Sequence, residues 1–275
     1  MASSLSTSVV VFHPDVPELV ETLESLAQAV RRAREAGLLA AAHVFLIDNG
    51  SPDPAALEGV LAGLATAAPA LELSLIRGHG NVGYGRGHNL GLQRAESDYH
   101  LILNPDVRLD PEALVEGLRF LARERSVALV APEVRGPDGE RQYLCRRYPD
   151  LLTLVLRGFA PARVRERFSR RLARYEMHDI LGDRVVENIP IASGCFMLAR
   201  TAALRAIGGF SEDYFLYFED YDLSLRLRRQ SSIAYVPGVR IVHLGGGAAR
   251  KGALHVRLFL ESAWRFFRTH GWKVA

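Results

Sequence analysis

Residues 8–48, SVVVFHPDVPELVETLESLAQAVRRAREAGLLAAAHVFLID, decide the fold class of this 275-residue chain. Residues 8–12 are mostly β-branched and apolar, which is typical of a buried strand. Residues 17–36 carry leucine and valine at helical spacing up to Gly37, and residues 43–47 form a second short apolar segment. A strand, a helix and a second strand in this order predict a βαβ unit whose two strands are parallel.

The same alternation continues through the first half of the chain. The further predicted elements are helix 53–67, strand 71–76, helix 87–95, strand 99–103, helix 111–123 and strand 127–130. These strands are largely continuous apolar runs, as expected for parallel strands that are covered by helices on both faces of the sheet. We therefore predict an α/β fold with a Rossmann-like, mostly parallel sheet.

The second half of the chain has a different character. A turn at 137–140 is followed by a basic, partly amphipathic helical insertion at 151–174, and ten arginines lie between positions 141 and 174. The remaining predicted elements are strand 190–198, helix 218–229, short strands 233–236 and 240–243, and a C-terminal helix at 254–270. Because no repeat or low-complexity linker separates the halves, we predict one domain over residues 1–275.

Composition excludes several classes of protein. The 34 basic residues exceed the 31 acidic ones by only 3, and 48% of residues are hydrophobic, which excludes collagen-like, coiled-coil and disordered chains. Two cysteines, Cys145 and Cys195, are too few for a disulfide framework and indicate a reducing compartment. Because the first residues lack a signal-peptide pattern and no apolar run reaches about 18 residues, we expect a cytoplasmic protein without a membrane-spanning helix.

Polar side chains repeatedly follow the apolar strands. His13 follows the first strand, Asp48 and Asn49 the second, and Asn104 and Asp106 the fourth. In open α/β sheets, ligands bind beyond the carboxyl ends of the strands. The sequence therefore predicts a ligand site at this edge of the sheet.

A glycine-rich loop, GHGNVGYGRGHN, occupies residues 78–89. Gly78, Gly80 and Gly83 match the G-x-G-x-x-G dinucleotide fingerprint, but the loop does not follow the first strand of its βαβ unit, and the acid that should end the next strand comes only at Asp106. We therefore reject that interpretation. The loop offers backbone N–H groups ahead of a helix, which suits a phosphate or a sugar hydroxyl, and a turn without a ligand is the alternative.

Asp106 and His243 are candidate metal ligands. A carboxylate that closes a buried strand can hold a divalent cation, which then bridges a diphosphate, although Asn-Pro-Asp is also ordinary turn chemistry. His243 ends the strand 240–243, where a lone histidine is usually structural, and it becomes a metal contact if Asp106 holds a cation.

Three acids, Glu219, Asp220 and Asp222, lie in the aromatic segment YFLYFEDYDLSLRL at 214–227. Acids at the start of a helix can simply stabilise the helix dipole. A carboxylate in a partly dry setting gains basicity and suits general-base catalysis. The segment alone leaves both interpretations open.

Taken together and in their order along the chain, seven segments resemble family 2 glycosyltransferases, in particular the bacterial rhamnosyltransferase-like branch. The segments are VVVFHPD, LIDNGS, NVGYGRGHNLG, LILNPDV, IASGCFMLAR, GGFSEDYFLYFEDYDLSLR and VHLGGG. The resemblance spans residues 9–247 and implies a GT-A fold, a nucleotide-sugar donor, a divalent cation (Mg²⁺ or Mn²⁺) and inversion at the anomeric carbon. It divides the chain into a nucleotide-binding half, an acceptor and catalytic half, a basic insertion within the latter, and a C-terminal amphipathic helix. These parts cover residues 1–131, 132–248, about 149–176 and 249–275.

The resemblance also implies roles for individual residues. Asp220 is expected to be the catalytic base, and Asp106 and His243 to bind the metal, with Asn104 standing where the D-x-D motif has its first Asp. Asp48 is expected to bond the pyrimidine base. The full set expected to contact the nucleotide sugar is His13, Asp48, Asn49, Asn81, Gly83, Tyr84, Gly87, Asn89, Asn104, Asp106, Ser193, Gly194, Glu219, Arg250 and Lys251.

Within this branch the favoured donor is dTDP-β-L-rhamnose, which would give an α-linked rhamnose, and UDP- or dTDP-linked hexoses remain open. The implied acceptor is a glycan or a polyprenyl-diphosphate-linked glycan, in cell-surface polysaccharide (lipopolysaccharide or O-antigen) synthesis. The C-terminal helix mixes arginine with aromatic residues, which suits an anionic membrane surface. Two interpretations stay open: a helix packed on the core with solvated arginines, which we slightly favour, and peripheral contact with the cytoplasmic face of the inner membrane.

Three other functions compete with a sugar transferase. No recognised nucleic-acid-binding module accompanies the arginines, so we expect no nucleic-acid binding. A nucleotidyltransferase would need a glycine-rich loop with Arg and Lys directly after the first strand, where this chain has His13-Pro14-Asp15. A degenerate transferase that only binds sugar or protein is the third alternative, and the joint presence of Asp106, Asp220 and His243 argues against it.

Overall fold

The βαβ unit predicted at the start of the chain is present in the computed structural model, which describes residues 2–69, 71–245 and 252–274. Strands β1 (Ser3–Val11) and β2 (Leu39–Asp48) are parallel neighbours joined by helix α1 (Val16–Glu35). The Asp15 side chain caps α1 by accepting a hydrogen bond of 3.1 Å from the Glu18 N–H. Leucines spaced three or four residues apart along α1 are buried, so the helix packs its apolar face on the sheet.

The other elements follow in chain order. The further strands are β3 (Glu72–Ile76), β4 (Tyr99–Leu103), β5 (Val107–Leu109), β6 (Val127–Arg135), β7 (Arg141–Gln142), β8 (Phe196–Arg200) and β9 (Ser232–His243). The further helices are α2 (Pro54–Ala67), α3 (Tyr84–Arg94), α4 (Ala113–Arg123), α5 (Leu151–Phe159), α6 (Ala162–Arg167), α7 (Ser169–Tyr175), α8 (Thr201–Ala206), α9 (Glu219–Leu227) and α10 (Ala253–His270).

The strands in the described part of the chain form one sheet in the order β3-β2-β1-β4-β8-β6-β9-β5, with β7 paired to β6. β3, β2, β1 and β4 are parallel, and β6 and β9 are parallel to each other. β8 runs antiparallel between β4 and β6, with Phe196 opposite Leu103. The residues just before β8 therefore enter the sheet at the edge where β4 ends.

Helices cover both faces of this sheet. One apolar core lies under α1, α2 and α4 and includes Leu23, Leu57 and Leu118. A second core lies under α3, α8 and α9 and includes Leu92 and Leu223. A third, separate aromatic cluster joins α5 and the start of α9 to the buried face of α10. This arrangement of cores confirms the α/β layering that was predicted from the apolar strands.

The predicted strand 190–198 is wrong at its start, because β8 begins only at Phe196. The backbone of Gly194 makes its hydrogen bonds with side chains. Its N–H donates to Asp220 Oδ2 at 3.0 Å, and its carbonyl oxygen lies 2.6 Å from the Tyr84 hydroxyl. Residues 190–195 therefore form a loop that leads into β8, and Ile191 makes only an isolated bridge with Arg146.

Two further predictions of element boundaries are corrected. The basic insertion is three short helices, since Pro161 sets Ala160 in an extended conformation and ends α5. The two short strands 233–236 and 240–243 are one strand, β9, whose pairing register with β6 shifts opposite Pro132 and Glu133. The shift leaves residues 237–239, including the Pro-Gly pair, without a partner in β6. The sequence pattern predicted the end of one strand and the start of another there.

Candidate active site

Asn49 and Asn81 tie the end of β2 to the glycine-rich loop. Asn49 Nδ2 donates to Asn81 Oδ1 at 3.0 Å and to the Gly83 carbonyl at 3.1 Å, while Asn49 Oδ1 accepts from the Val82 N–H at 3.1 Å. Asp48 is 5% exposed, and its Oδ1 accepts from the N–H groups of Gly50 and Ser51. The structure therefore brings Asp48 and Asn49, at the end of β2, close to the glycine-rich loop, as the sequence predicted.

Gly83 allows the loop to pack directly on the aromatic segment before α9. Its φ of +88° lies in the left-handed region, and a Cβ atom here would lie 2.3 Å from the Phe215 carbonyl oxygen. The next residue, Tyr84, donates its backbone N–H to the same oxygen at 3.1 Å. The backbone of the loop is thus fixed against residues 214–218, which lead into the predicted base.

Tyr84 links three parts of the site. Its hydroxyl lies 2.6 Å from the Gly194 carbonyl oxygen and 3.0 Å from Asn104 Oδ1. Burial, together with the nearby carboxylates of Glu219 and Asp220, raises the pKa of Tyr84 well above its ordinary value. The hydroxyl therefore stays protonated and remains a hydrogen-bond donor.

Gly87 and Asn89 are placed in the packing of α3. A Cβ atom on Gly87 would lie 2.9 Å from a methyl carbon of Val10, so the glycine lets α3 approach β1. The Asn89 side-chain amide bonds both the N–H and the carbonyl of Phe210, at 2.9 and 2.8 Å. These bonds use one of the two Nδ2 donors and one of the two acceptor positions of Oδ1, so the predicted contact of Asn89 with a nucleotide sugar stays a prediction.

Asp106 and His243 meet at the edge where β4 and β9 end. Val107 pairs with His243 across the β5–β9 ladder, and the His243 Nε2 atom lies 3.5 Å from Asp106 Oδ1. Gly245 lies against this carboxylate, since a Cβ atom there would come within 2.1 Å of Asp106 Oδ2. The predicted pair of metal ligands is therefore close in space.

The chemistry of this pair fits a divalent cation. In the described residues, Asp106 Oδ1 and both ring nitrogens of His243 are buried without a hydrogen-bond partner, which is rare for polar atoms unless a ligand completes them. A carboxylate oxygen and an imidazole nitrogen are ligands that Mn²⁺ accepts. No third His, Cys, Asp or Glu joins them within residues 2–69, 71–245 and 252–274. The predicted contacts Arg250 and Lys251 lie outside those ranges.

Asp220 lies in the first turn of α9, after two residues with unusual backbone. Tyr217 and Phe218 have φ values of +71° and +64°, a left-handed conformation that costs about 1–3 kcal/mol per residue and is concentrated at functional sites. Asp220 accepts hydrogen bonds from the N–H groups of Gly194 and Tyr221, at 3.0 and 2.9 Å. Burial raises the pKa of Asp220, an effect that these bonds and Arg146 offset only in part. A carboxylate of raised basicity suits the predicted general base.

Asp222, the third acid of this segment, has a structural role. It is 2% exposed and bonds His270 Nε2 at 2.8 Å and Arg226 Nε at 2.7 Å. Burial alone would raise the pKa of Asp222, but these two partners outweigh burial and lower it. This group anchors the end of α10 to α9.

A cavity of about 220 Å³ opens beside Asp220. Predicted site residues Ser193 and Glu219 line it. Sequence reasoning missed the others, which are Leu144, Arg146, Leu154, Arg157, Tyr217, Phe218, Tyr221 and Phe259. The cluster of arginines at 141–174 was the available signal for Arg146 and Arg157, but the sequence alone does not show which of its arginines line a cavity.

The predicted site residue His13 is not among the residues that line this cavity. It is exposed just after β1, and its ring centre lies 4.4 Å from that of Phe12.

Comparison with known proteins shows the family of this chain. Residues 8–208 match glycosyl transferase family 2, so the chain belongs to that family. The N-acetylglucosaminyl-diphospho-decaprenol L-rhamnosyltransferase of Mycobacterium tuberculosis (strain H37Rv) is 28% identical over 291 residues, covering 99% of this chain and 87% of that protein. Rhamnosyltransferase WbbL of Escherichia coli K12 is 27% identical over 58% of this chain and 61% of its own length.

Solved structures show the same fold. GalNAc-T7 with UDP, GalNAc and Mn²⁺ superposes with a TM-score of 0.68 at 13% identity, covering 97% of this chain and 48% of that one. The mannosyltransferase PcManGT of Pyrobaculum calidifontis, with GDP-Man and Mn²⁺, gives 0.62 at 16% identity, covering 98% and 61%. This chain thus spans about half and three-fifths of those two structures. The fold is the GT-A fold that the resemblance implied.

Proposed function

We propose that this protein transfers L-rhamnose from dTDP-β-L-rhamnose to a hydroxyl of a polyprenyl-diphosphate-linked glycan, with inversion. The observation that carries the proposal is the position of Asp220, a carboxylate of raised pKa on the wall of a cavity that can take an acceptor. The donor and acceptor classes are supported by the names of the two rhamnosyltransferases that this chain resembles.

The proposed reaction is a direct displacement at the anomeric carbon. The Asp220 carboxylate takes the proton of the acceptor hydroxyl as its oxygen forms a bond to C1 of rhamnose. The bond from C1 to the β-phosphate oxygen breaks on the opposite face, dTDP leaves, and the β-linked sugar becomes α-linked. Holding both substrates in line provides most of the acceleration.

The residues at the sheet edge hold the donor in this proposal. Asp48 and the loop at 78–84 lie where the nucleoside binds, and Tyr84 holds Asn104 and the Gly194 loop in place through its hydroxyl. Asp106 and His243 would hold the divalent cation, which when bound would stabilise charge on the leaving diphosphate. Asn104 supplies a neutral oxygen where the D-x-D motif has a carboxylate.

The test is nucleotide release with Mg²⁺ or Mn²⁺ and one of four donors: dTDP-rhamnose, UDP-glucose, UDP-galactose or UDP-N-acetylglucosamine. We expect metal-dependent release from dTDP-rhamnose, accelerated by a lipid-linked N-acetylglucosamine acceptor, and an α-linked product by NMR. Nucleotide release from a UDP-linked sugar but not from dTDP-rhamnose would show that the donor is that UDP-linked sugar and not dTDP-rhamnose. Absence of both nucleotide binding and release with every donor would overturn the transferase function.

We also propose peripheral membrane contact through α10 and the basic insertion. Val256, Leu260 and Trp264 recur at intervals of four and are 38%, 55% and 53% exposed, and every residue from 161 to 170 is exposed, with arginines at 163, 165, 167 and 170. Exposed apolar residues beside arginines are typical of a helix at an anionic membrane surface. No helix among the described residues is both long and apolar enough to cross a bilayer.

Vesicle co-sedimentation tests this contact. We expect the protein to bind vesicles that contain phosphatidylglycerol, and Leu260→Ser combined with Trp264→Ser to weaken binding by about tenfold or more, because two apolar side chains leave the interface. Val185→Ser, at a residue 44% exposed elsewhere on the surface, is the control. Equal sedimentation of the double variant and the wild type would contradict membrane contact through α10.

A further inference from the structure

The cavity beside Asp220 has walls of opposite charge. Asp220 and Glu219 line it from the start of α9. Arg146, before α5, and Arg157, on α5, also line it, and Leu154 and Phe259 add apolar surface. Ligand cavities of this kind combine aromatic surface with a few polar groups that fix the orientation of the ligand. The guanidinium groups have no part in the reaction as derived above.

Arg146 is a fixed part of the wall. It is 4% exposed, its Nη1 group donates to the carbonyl oxygens of Tyr143 and Cys145, and its Nη2 atom lies 3.5 Å from Glu176 Oε1. These contacts hold its charge in place but use much of its hydrogen-bonding capacity. Arg146 therefore contributes mainly a positive potential.

Arg157 has donors to spare. Its side chain is 46% exposed, and its one hydrogen bond among the described residues joins Nε to Glu176 Oε1 at 3.2 Å. A guanidinium has five N–H donors in a planar fork that matches the oxygens of a phosphoryl group. Two guanidiniums share the Glu176 carboxylate, which also pairs with His178 at 3.3 Å, so this wall keeps positive charge.

An apolar path leaves the cavity next to Arg157. Phe259 lines the cavity, and its ring centre lies 6.2 Å from that of Phe159, which is 50% exposed at the end of α5. Val155, one turn earlier on α5, is 54% exposed. Exposure increases outward along this wall: Asp220 is half-buried, Arg157 is 46% exposed and Phe159 is 50% exposed.

We propose that Arg157, backed by the charge of Arg146, binds the diphosphate of the acceptor. The acceptor sugar then lies between Arg157 and Asp220, and the lipid chain leaves over Phe259 and Phe159. This site rests on the proposed function, because the cavity and its rim offer a partner to each part of a lipid-diphosphate sugar: Asp220 to the hydroxyl, aromatic rings to the sugar, Arg157 to the diphosphate and exposed apolar side chains to the lipid chain. Arg157 is a specificity residue for the acceptor and takes no part in donor binding.

The test is calorimetric binding of two probes in the absence of any donor: farnesyl diphosphate and octyl N-acetylglucosaminide, which lacks phosphate. We expect Arg157→Gln to weaken farnesyl diphosphate binding by about tenfold to a hundredfold and to leave the octyl sugar unchanged, with Arg157→Lys intermediate because it loses the planar fork. Arg32→Gln is the matched control, since Arg32 is 47% exposed and also paired with glutamate, but on α1. Melting temperatures confirm that each variant is folded.

Two outcomes would overturn the site: unchanged affinity of Arg157→Gln for farnesyl diphosphate, or equal weakening for both probes. Failure of the proposed function is a separate result, since it would show as no sugar transfer by the wild type whatever the affinities of the probes. In a transfer assay with a lipid-diphosphate acceptor, Arg157→Gln should raise the acceptor KM by a similar factor and leave the donor KM unchanged.

Discussion

Asp220→Asn is expected to lower the rate of sugar transfer by about 10²- to 10⁴-fold, the range that a positioned general base contributes. The amide cannot accept the proton of the acceptor hydroxyl, yet it has nearly the same shape. Binding of dTDP to the variant should be unchanged, because Asp220 lines the proposed acceptor cavity. The measurements are kcat for transfer and the Kd of the nucleotide. Asp213→Asn, an exposed acid on the segment before α9, is the matched control and should keep the wild-type rate.

The pH profile gives an independent check on the same residue. Burial raises the pKa of Asp220, so the wild-type rate should rise with pH through a value above that of an ordinary aspartate, and this limb should disappear from the residual rate of Asp220→Asn. A raised pKa in the folded state means that the stability from Asp220 is present at low pH and is lost as pH rises through that value. At neutral pH, Asp220→Asn should therefore lower the free energy of unfolding by no more than about 1 kcal/mol, the contribution of one hydrogen bond. A wild-type rate of transfer in Asp220→Asn would contradict the role of Asp220 as the general base.

Asp106→Asn is expected to lower transfer by about 10²-fold or more and to weaken Mn²⁺ binding measured by calorimetry. The reason is that the pair loses its only anionic oxygen among the described residues, while charge on the leaving diphosphate still needs to be stabilised. Gly245→Ala tests the geometry without removing a ligand, because its Cβ atom would lie 2.1 Å from Asp106 Oδ2 and must displace the carboxylate. We expect it to weaken Mn²⁺ binding as well.

Gly59→Ala is the control for this glycine, since a Cβ atom on α2 meets nothing within 4 Å. It should bind Mn²⁺ like the wild type. Activity that survives chelation with EDTA, together with unchanged Mn²⁺ binding in Asp106→Asn, would contradict a metal site at Asp106 and His243.

The parallel strands and the residues that follow them were predictable from the sequence for a physical reason. Strands buried on both faces must be continuously apolar, so the first polar residue after each one marks the edge of the sheet. That pattern is sufficient to identify Asp48, Asn49, Asn104 and Asp106. The end of the last strand made His243 a candidate, and the family resemblance turned it into an expected metal ligand and singled out Asp220 among the three acids. The structure shows that Asp222 is buried with His270 and Arg226.

Other features depend on contacts between distant residues and leave no local signal. The loop before β8 is fixed by bonds from Gly194 to Tyr84 and Asp220, which lie 110 and 26 residues away, so an apolar run was mistaken for a longer strand. Arg146 and Arg157 could not be distinguished from the other arginines of residues 141–174. Which arginines line the cavity depends on how α5 packs against α10, and no local pattern shows that packing. The contact of Gly83 and Gly87 with a ligand stays a prediction; what the sequence did not show is that a Cβ atom at these positions would meet Phe215 and Val10.

The aromatic cluster that joins α5 and α10 has a consequence for how this enzyme could evolve. It is a separate core from the two that flank the sheet, and it provides one wall of the proposed acceptor cavity through Leu154, Phe218 and Phe259. Substitutions there can reshape this cavity while the strands of the sheet, which hold the proposed donor site, keep their own packing. New acceptor preferences could thus arise in a lineage without each change having to preserve donor recognition at the same time.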